Sequence, residues 1–223
     1  MAAPFDLVRP GHRAALSATP LPDQPHLPDP PGTDPLDLFA DWFAAAVAAG
    51  QPEPEAMALA TSTAGGLPSV RFVLLRDFDR HGFVFYTNRR SRKGRELAAN
   101  PVAALVFRWH LVGRQVRAAG AVVEVDGEQS DAYFAGRPRG SQIGAWASEQ
   151  SRPVAGRREL DARTAEMEAR FAGGPVPRPP WWGGYRLAPD EIEFWQQGTF
   201  RLHDRFVYRL GPGDSWSCQR LFP

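Results

Sequence analysis

Basic and hydroxyl side chains meet at one predicted helix start, a combination that suits binding of a phosphate group. In SRKGREL, Ser91 is a typical N-cap, yet Arg92 and Lys93 follow it in the first turn. The helix dipole disfavours cations there by about a few tenths of a kcal/mol. A bound anion would remove this conflict, since backbone N–H groups, a hydroxyl and two cations converge on it. The stretch therefore indicates a phosphate site, with two solvated surface cations as the alternative.

Two further arginines lie in the predicted strand SVRFVLLR, at Arg71 and Arg76. Residues five apart in a strand point to opposite faces of the sheet. These two guanidinium groups therefore cannot both bind one small anion. The spacing predicts either two anions or one anion and one salt bridge.

The polar stretch RPRGSQIGAWASEQS, residues 137–151, suits a second anion site. Tyr133 and Arg137 are four apart, so a helix over EQSDAYFAGR would place them on one face, with Ser141 following after a turn. A phenol, a guanidinium and a hydroxyl would then meet on a phosphate ester. Gln150 and Ser151 end the stretch with another amide and hydroxyl. The alternative interpretation is a polar loop between two helices, held by a salt bridge.

The C-terminal part of the chain carries a third polar cluster. Trp195 ends an alternating strand, and Arg201, His203 and Arg205 alternate along the next one, which predicts that all three point to one side. Two flanking cations should lower the pKa of His203 and keep the imidazole neutral. Gln115, in a predicted mid-sheet position, needs partners that a planar heteroaromatic ring with imide groups would supply. The other four histidines lack metal-ligand spacing.

Composition narrows the classes of function. The formal charge is +1, so no overall field draws the chain to nucleic acid or to an anionic membrane. No apolar run is long enough to span a bilayer, and the single cysteine excludes an intrachain disulfide framework. We therefore expect a cytoplasmic protein. Because the motifs of Rossmann, P-loop, zincin and α/β-hydrolase sites are absent, a bound cofactor is expected to do the chemistry.

The elements that position these residues follow from hydrophobic periodicity. Residues 1–32 are rich in proline and predict an extended or mobile arm, followed by a single domain over residues 33–223. A helix begins at Asp34 and Pro35 and ends near Gly50. Its apolar face is predicted to consist of Leu36, Phe39, Phe43 and Val47.

From Ala56 onward the period changes to two, which predicts strands. AMALATST, SVRFVLLR and GFVFYTN form a meander in which DFDRH is a hairpin turn. VAALVFRWH, RQVRAAGAVVEV, GGYRLAP, EIEFWQQ, RFVYRL and SWSCQRLF are further strands, and helices are predicted around EQSDAYFAG and over GRRELDARTAEMEARF. Since the helices interrupt antiparallel runs rather than alternating with strands, the fold class is α+β around an antiparallel β-barrel.

The order and spacing of six motifs resemble the pyridoxine/pyridoxamine 5′-phosphate oxidase family. They are SVRFVLL, FVFYTNRRSRKGRELAANP, RQVRAAG, SDAYFAGRPRGSQIGAWASEQS, PPWWGGYRL and IEFWQQGTFRLHDR. The resemblance extends from about Asp34 to the C-terminus. It implies a split β-barrel homodimer that binds FMN at the interface between its subunits.

The resemblance also implies a role for individual residues. The expected FMN-phosphate ligands are Arg71, Arg92 and Lys93. Other expected FMN contacts are Phe72, Val73, Leu74, Tyr86, Thr87, Gln115, Gln150, Ser151, Trp195 and Arg205. The residues expected to bind the 5′-phosphate of the substrate are Tyr133, Arg137 and Ser141. Arg201 and His203 are expected at the pyridine ring and are also the expected catalytic residues. Arg76 is a further expected substrate-binding residue, at a position where the family usually has lysine.

The family's reaction transfers hydride from substrate C4′ to flavin N5, after which O2 reoxidises the flavin and yields H2O2. Three features depart from the family pattern: Arg76 replaces lysine, Phe200 replaces a smaller or polar residue, and the N-terminal arm lacks an arginine-and-tyrosine lid segment. Two other hypotheses stay open. One is a paralogous flavin oxidase acting on another ring system such as a phenazine-like precursor, and the other is a flavin- or pyridoxal-phosphate-binding protein without turnover.

Overall fold

The computed structural model describes residues 25–223, which form five α-helices and nine β-strands. The helices are α1 (Pro35–Ala48), α2 (Arg92–Ala99), α3 (Gly127–Ala135), α4 (Arg139–Ala147) and α5 (Arg157–Arg170). The strands are β1 (Ala56–Ser62), β2 (Pro68–Leu74), β3 (Asp77–Asp79), β4 (Gly82–Asn88), β5 (Val102–Trp109), β6 (Arg114–Glu124), β7 (Trp182–Gln196), β8 (Asp204–Leu210) and β9 (Trp216–Arg220).

The strands form one antiparallel sheet in the order β2-β1-β5-β6-β7-β4-β3, and β8 pairs with β7 and β9 with β8. Strand β7 is the centre of this arrangement. One of its edges pairs with β6, whereas the other pairs with β4 along the first half and with β8 along the second. The sheet curls into a half-barrel, so the predicted α+β fold of the split-barrel type is confirmed.

A bulge between β6 and β7 bends the sheet. The register shifts between Ala119 and Gly120, opposite Pro189 of β7. A Cβ on Gly120 would lie 2.1 Å from the carbonyl oxygen of Ala188, so only glycine allows the two backbones to approach this closely. The two strands predicted from GGYRLAP and EIEFWQQ are therefore wrong as separate elements. They are one long strand that bends at Pro189 without leaving the ladder.

Helix α1 begins as predicted, because the Asp34 carboxylate accepts a hydrogen bond from the backbone N–H of Leu36 at 2.7 Å. Its apolar face packs on the inner side of the sheet, where Phe39 is fully buried. The predicted place of Val47 on this face is wrong, since that side chain is 52% exposed. In the last turn Ala46 faces the core instead, which leaves Val47 turned toward solvent.

Only part of the DFDRH segment is the hairpin turn that the sequence predicted. Its first three residues form β3, which pairs with the beginning of β4. The ring of Phe78 packs edge-on against Phe39 with the centroids 4.9 Å apart, and this contact fixes β3 on the core. The turn is confined to Arg80 and His81, where the Asp79 carboxylate accepts a hydrogen bond from the His81 N–H.

Residues 25–32 belong to the predicted proline-rich arm and lie against β7, β8 and β9. The backbone N–H of Leu27 donates to Asp204 at 2.9 Å, the Gln196 amide donates to the carbonyl of Pro25, and the Tyr208 hydroxyl donates to that of Gly32. This part of the arm is therefore fastened to the sheet. The rest of the predicted arm, residues 1–24, lies outside the described residues.

Candidate active site

A cavity of about 460 Å³ opens between the ends of β2 and β4 and the helices α2, α3 and α4. Eleven of the residues predicted to bind cofactor or substrate line it. They are Phe72, Val73, Leu74, Arg76, Tyr86, Thr87, Lys93, Tyr133, Arg137, Ser141 and Gln150. The lining also includes residues that the sequence analysis missed, namely Asn88, Gly144, Ala145, Ser148 and Trp182.

Lys93 lines the cavity, in the part called here the Lys93 end, and is 8% exposed. Its ammonium group donates to the hydroxyl of Thr87 at 3.2 Å and to the amide oxygen of Gln150 at 3.1 Å, and it forms no ion pair within residues 25–223. Desolvation, followed by the positive charge of Arg71, lowers the pKa of Lys93 to about 8. A buried cation with only neutral hydrogen-bond partners is a suitable environment for an anion.

Arg71 and Arg92, the other predicted phosphate ligands, do not line the cavity. Both pair with the buried carboxylate of Glu96, at 3.3 Å and 2.8 Å. Burial would raise the pKa of Glu96, but hydrogen bonds from Ser69, Thr61 and Arg92 outweigh it and lower the pKa to about 2. The prediction of one anion and one salt bridge for the two arginines of SVRFVLLR fits Arg71, which is in the salt bridge. Arg76 lies beyond the end of β2, so the argument from opposite strand faces does not apply to it.

Glu96 was missed by the sequence analysis. The available signal was its position four residues after Arg92 on the same helix, where opposite charges interact. That spacing did not indicate burial, because the hydroxyl groups that surround the carboxylate come from β1 and β2.

Stacked aromatic rings form another part of the cavity lining. The ring of Tyr86 stacks on Tyr133 at 4.0 Å and on Trp182 at 5.3 Å between centroids. The Arg137 guanidinium lies over the Trp182 ring at 4.7 Å. This arrangement is compact because Gly184 of β7 is opposite Tyr86, and a Cβ there would lie 2.7 Å from the Tyr86 ring.

Arg137 is a half-buried cation that lines the cavity beside these rings, in the part called here the Arg137 end. Its Nη1 atom is buried and has no hydrogen-bond partner within residues 25–223, and desolvation lowers its pKa. The prediction that Arg137 shares a face of α3 with Tyr133 is wrong, because α3 ends at Ala135. The turn through Gly136 and Pro138 brings the guanidinium to the same cavity as Tyr133 by a different path.

The stretch 137–151 is a helix over most of its length. Helix α4 covers Arg139–Ala147 and places Ser141 in its first turn, after the turn that separates it from α3, so the alternative of a polar loop is wrong. One face of α4 packs through Ile143, which is 1% exposed. Ser141 and the two glycines of the helix had masked this short apolar face. Gln150 reaches the cavity beyond the helix end, whereas Ser151 is exposed and does not line it.

The remaining predicted residues form a second group, on the outer face of the sheet. Gln115 is opposite Trp195, and Trp195 is opposite Arg205. The His203 ring lies 4.4 Å from the Trp195 ring. Its pKa is lowered by burial and then by Arg201 and Arg205, as the sequence predicted for the two cations.

The loop before β8 differs from the predicted strand alternation. Arg201 lies in a 3-10 turn with a φ of 65°, and Phe200 before it has a φ of 51°. Strand β8 begins only at Asp204, so Arg201 and His203 are placed by a tight loop. Gly198 makes this loop possible, since a Cβ there would lie 2.0 Å from the carbonyl oxygen of Leu202.

The two groups of residues lie near opposite ends of β7. Tyr86 is opposite Gly184, whereas Gln115 is opposite Trp195, eleven residues further along the strand. An extended strand rises about 3.3 Å per residue, so this separation is up to about 36 Å. No residue of the second group lines the cavity.

The part of the chain that the structure describes contains neither a metal site nor a membrane-spanning helix. No group of histidine, cysteine, aspartate and glutamate side chains is arranged to hold a metal ion. None of the helices combines the length and the apolar character needed to cross a membrane.

Two family models and a set of curated relatives match this chain. Residues 43–171 match the family model for pyridoxamine 5′-phosphate oxidase, and residues 182–223 match the model for a pyridoxine 5′-phosphate oxidase C-terminal dimerisation region. The chain is 58% identical over 191 residues to the pyridoxine/pyridoxamine 5′-phosphate oxidase of Rubrobacter xylanophilus, an alignment that covers 85% of this chain and 87% of that protein.

Solved structures agree in fold. PhzG from Burkholderia lata 383, in complex with tetrahydrophenazine-1-carboxylic acid, superposes with a TM-score of 0.84 at 36% identity, covering 90% of this chain and 99% of that one. A pyridoxamine 5′-phosphate oxidase-related, FMN binding protein from Nostoc punctiforme shares the fold at 17% identity, with a TM-score of 0.66 over 83% of this chain and 97% of that one. On the family-model match and the identity to curated relatives, the chain belongs to the pyridoxamine 5′-phosphate oxidase family.

Proposed function

We propose that this protein is an FMN-dependent oxidase that converts pyridoxine 5′-phosphate, pyridoxamine 5′-phosphate or both to pyridoxal 5′-phosphate, with O2 as the acceptor and H2O2 as a product. The observation that supports it most is a cavity lined by two cations with different neighbours, Lys93 on Thr87 and Gln150 and Arg137 over Trp182. Lys93 and Arg137 both line it, and neither has a carboxylate partner within residues 25–223. Two anions facing each other across aromatic walls are what a flavin phosphate and a substrate phosphate would supply.

The residues at the Lys93 end fit the phosphate of FMN. Thr87, Lys93 and Gln150 already form one hydrogen-bonded group, so an anion there would meet donors that are in place. Arg71 and Arg92 add positive charge nearby, partly balanced by Glu96. When bound, FMN supplies the two-electron chemistry that oxidises the substrate and reduces O2.

The residues at the Arg137 end fit the phosphate of the substrate. The free Nη1 donor of Arg137, with Tyr133 and Ser141 in the same lining, would bind the ester oxygens and hold the substrate ring at a fixed distance and orientation. Arg76 lines the same cavity and adds a second guanidinium. Arg201 and His203 would complete the site by orienting the pyridine ring, and the lowered pKa of His203 keeps its imidazole neutral.

A second copy of the chain would bring the two groups of residues together. Gln115, Trp195 and Arg205 lie near the far end of β7 from the cavity and none of them lines it, so we infer that a second copy supplies them to the flavin. The match of residues 182–223 to a dimerisation region supports a homodimer in which FMN lies at the interface. An apolar outer face is available for this contact, with Val70 69% exposed and Phe72 76% exposed.

The likeness to PhzG keeps oxidation of a phenazine-like ring as the second hypothesis. The curated relative from Rubrobacter is more similar in sequence, at 58% against 36% identity. The cations at both ends of the cavity also favour a substrate that carries its own phosphate. We therefore rank the vitamin phosphate above the phenazine precursor.

The test is to load the purified protein with FMN and to follow O2 uptake and H2O2 release. Pyridoxamine 5′-phosphate, its unphosphorylated form and a tetrahydrophenazine carboxylate are compared as substrates. We expect rapid turnover with the phosphate ester only. Faster oxidation of the phenazine compound would support the paralogous oxidase, whereas FMN binding without any turnover would support a binding protein.

A further inference from the structure

Four side chains form a row across the outer face of the sheet, next to the bend into the loop at Gly198. Arg108 of β5 is opposite Gln115 of β6. Trp195 of β7 is opposite Gln115 on one side and Arg205 of β8 on the other. Directly opposed residues share a face of the sheet. The preceding or following residues point inward and are fully buried, namely Phe107, Val116, Phe194 and Phe206. The row of Arg108, Gln115, Trp195 and Arg205 therefore faces outward.

The two arginines at the ends of this row differ in charge balance. The Arg205 Nε atom donates to the carboxylate of Glu193 at 2.9 Å, and Glu193 is 3% exposed. Arg108 forms no ion pair within residues 25–223. Its Nη1 atom donates only to two backbone carbonyls, of which that of Arg114 is 3.1 Å away. Glu193 also pairs with Arg117 at 2.8 Å, so the positive charge of Arg205 is partly neutralised, whereas that of Arg108 has no carboxylate partner in this part of the chain.

The surroundings of the Arg108 guanidinium agree with this contrast. It lies over the Trp195 ring, 5.4 Å from the ring centroid. Desolvation lowers the pKa of Arg108, with no carboxylate raising it, whereas the hydrogen bond to Glu193 raises the pKa of Arg205. Arginine stays protonated in proteins, so Arg108 presents a full charge beside Gln115 and Trp195.

We propose that Arg108 is a further cofactor-binding residue, whose unneutralised charge raises the reduction potential of the FMN held against Gln115 and Trp195. The inference rests on the proposed function, because it takes these two residues as flavin contacts. Reduction adds negative charge to the flavin ring, and a nearby cation stabilises the reduced form more than the oxidised form. Arg108 lies outside the motifs that carry the family resemblance.

The experiment compares Arg108→Gln, Arg108→Lys and a control, Arg209→Gln. Arg209 is an arginine of the same strand as Arg205, β8. It is paired with Glu191 at 3.0 Å, so its charge already has a carboxylate partner. FMN affinity is measured by fluorescence, and the potential of the bound FMN is measured by equilibration with a redox dye. For Arg108→Gln we expect the affinity for reduced FMN to fall about tenfold more than that for oxidised FMN, which lowers the two-electron potential by about 30 mV. Arg108→Lys should keep most of the wild-type potential, and Arg209→Gln should not change it.

Each outcome decides between the two proposals. A wild-type potential in Arg108→Gln, or an equally low potential in Arg108→Lys, would overturn the role of the Arg108 charge. If the wild-type protein binds FMN and oxidises the phosphate ester while Arg108→Gln keeps its potential, only this inference fails. If the wild-type protein binds no FMN, the proposed function fails with it.

Discussion

At the scale of single residues, Lys93 is a buried cation and Arg137 a half-buried one, and neither has a carboxylate partner within residues 25–223. Taking a cation out of water is costly unless it is paired. Neutral oxygens around Lys93 and the faces of aromatic rings around Arg137 compensate only part of this cost. An anion at each end of the cavity would compensate the rest, so both residues should contribute strongly to binding.

Replacement of Arg137 tests the substrate end. Arg137→Ala should raise KM for pyridoxamine 5′-phosphate by about 10- to 100-fold, because about 1.5–3 kcal/mol of charge-assisted hydrogen bonding is lost. FMN content should stay the same. The matched control is Arg157→Ala, which removes an exposed arginine of α5 paired only with Asp161 in the next turn. Loss of FMN from Arg137→Ala would mean that the two ends of the cavity are assigned the wrong way round.

The pH dependence of FMN binding tests the Lys93 end. In the free protein the pKa of Lys93 is lowered to about 8, and a bound phosphate would raise it. Below that pH Lys93 already carries its proton. Above it a proton must be taken up on binding, so FMN affinity should fall by up to about tenfold per pH unit.

The measurement is the dissociation constant of FMN, by fluorescence titration from about pH 7 to about pH 9.5. Lys93→Gln should bind FMN more weakly and lose most of the dependence on pH. An equally steep dependence in Lys93→Gln would assign the titration to another group.

At the scale of elements, Glu96 joins α2 to β1 and β2. Its carboxylate accepts hydrogen bonds from Thr61 at 2.5 Å and Ser69 at 2.6 Å and pairs with Arg71 and Arg92. The helix that carries Lys93 is therefore held on the sheet by one buried charge. This contact fixes where the phosphate end of the cavity lies.

Removal of this carboxylate should destabilise the fold. Glu96→Ala leaves two arginines unpaired, and we expect a loss of about 2–3 kcal/mol, less than for a fully buried pair because Arg92 is half exposed. Urea unfolding measures the loss. The control is Asp161→Ala, which breaks an exposed pair of the same helical spacing and should cost about 0.5 kcal/mol or less.

The stability lost in Glu96→Ala should also depend on pH. Because the folded-state pKa of Glu96 is lowered from 4.5 to about 2, its stabilising contribution is present above pH 4.5 and is lost as pH falls toward 2. The difference in stability between wild type and Glu96→Ala should therefore shrink below pH 4.5. A difference that stays constant with pH would show that lost packing, rather than charge, causes the destabilisation.

Sequence patterns predicted elements well where side chains alternate or repeat clearly. The strands and α1 follow from such patterns, and the capping of α2 by Ser91 was predicted from its residue type. Helix α4 was missed because its buried face is short and polar residues surround it. The loop that holds Arg201 was read as strand, since a left-handed backbone at Phe200 and Arg201 leaves no signal in hydrophobic periodicity. Arg137 lines the same cavity as Tyr133, as predicted, although the two residues do not share a helix.

At the scale of the whole molecule, the predicted site residues fall into two groups that one chain does not bring together. The cavity residues lie around β2 and β4, whereas Gln115, Trp195 and Arg205 lie near the far end of β7. The sequence assigned these residues to ligand binding but did not predict this division, because the division depends on the curl of the sheet. The fold therefore gives a physical reason for the homodimer.

An aspartate on the apolar outer face should separate the dimer. Val70 is 69% exposed and lines a depression with alanines of β1, β5 and β6, at whose rim Arg117 and Glu191 already pair with each other at 3.6 Å. Val70→Asp would bury an additional charge in the interface and is expected to give monomers that do not retain FMN. Sedimentation velocity and the flavin absorbance of the purified protein measure both effects. Val154→Asp, in the exposed segment between α4 and α5, is the control that should stay dimeric.

The most direct test of the shared site combines two defective chains in one dimer. Arg137→Ala damages the cavity group, and the double variant Arg201→Ala/His203→Ala damages the other group. When the two are co-expressed with different tags and assayed at low substrate concentration, random pairing leaves one intact site in half of the dimers, which predicts about a quarter of wild-type activity. A mixture that is as inactive as either variant alone would contradict a site built from two subunits.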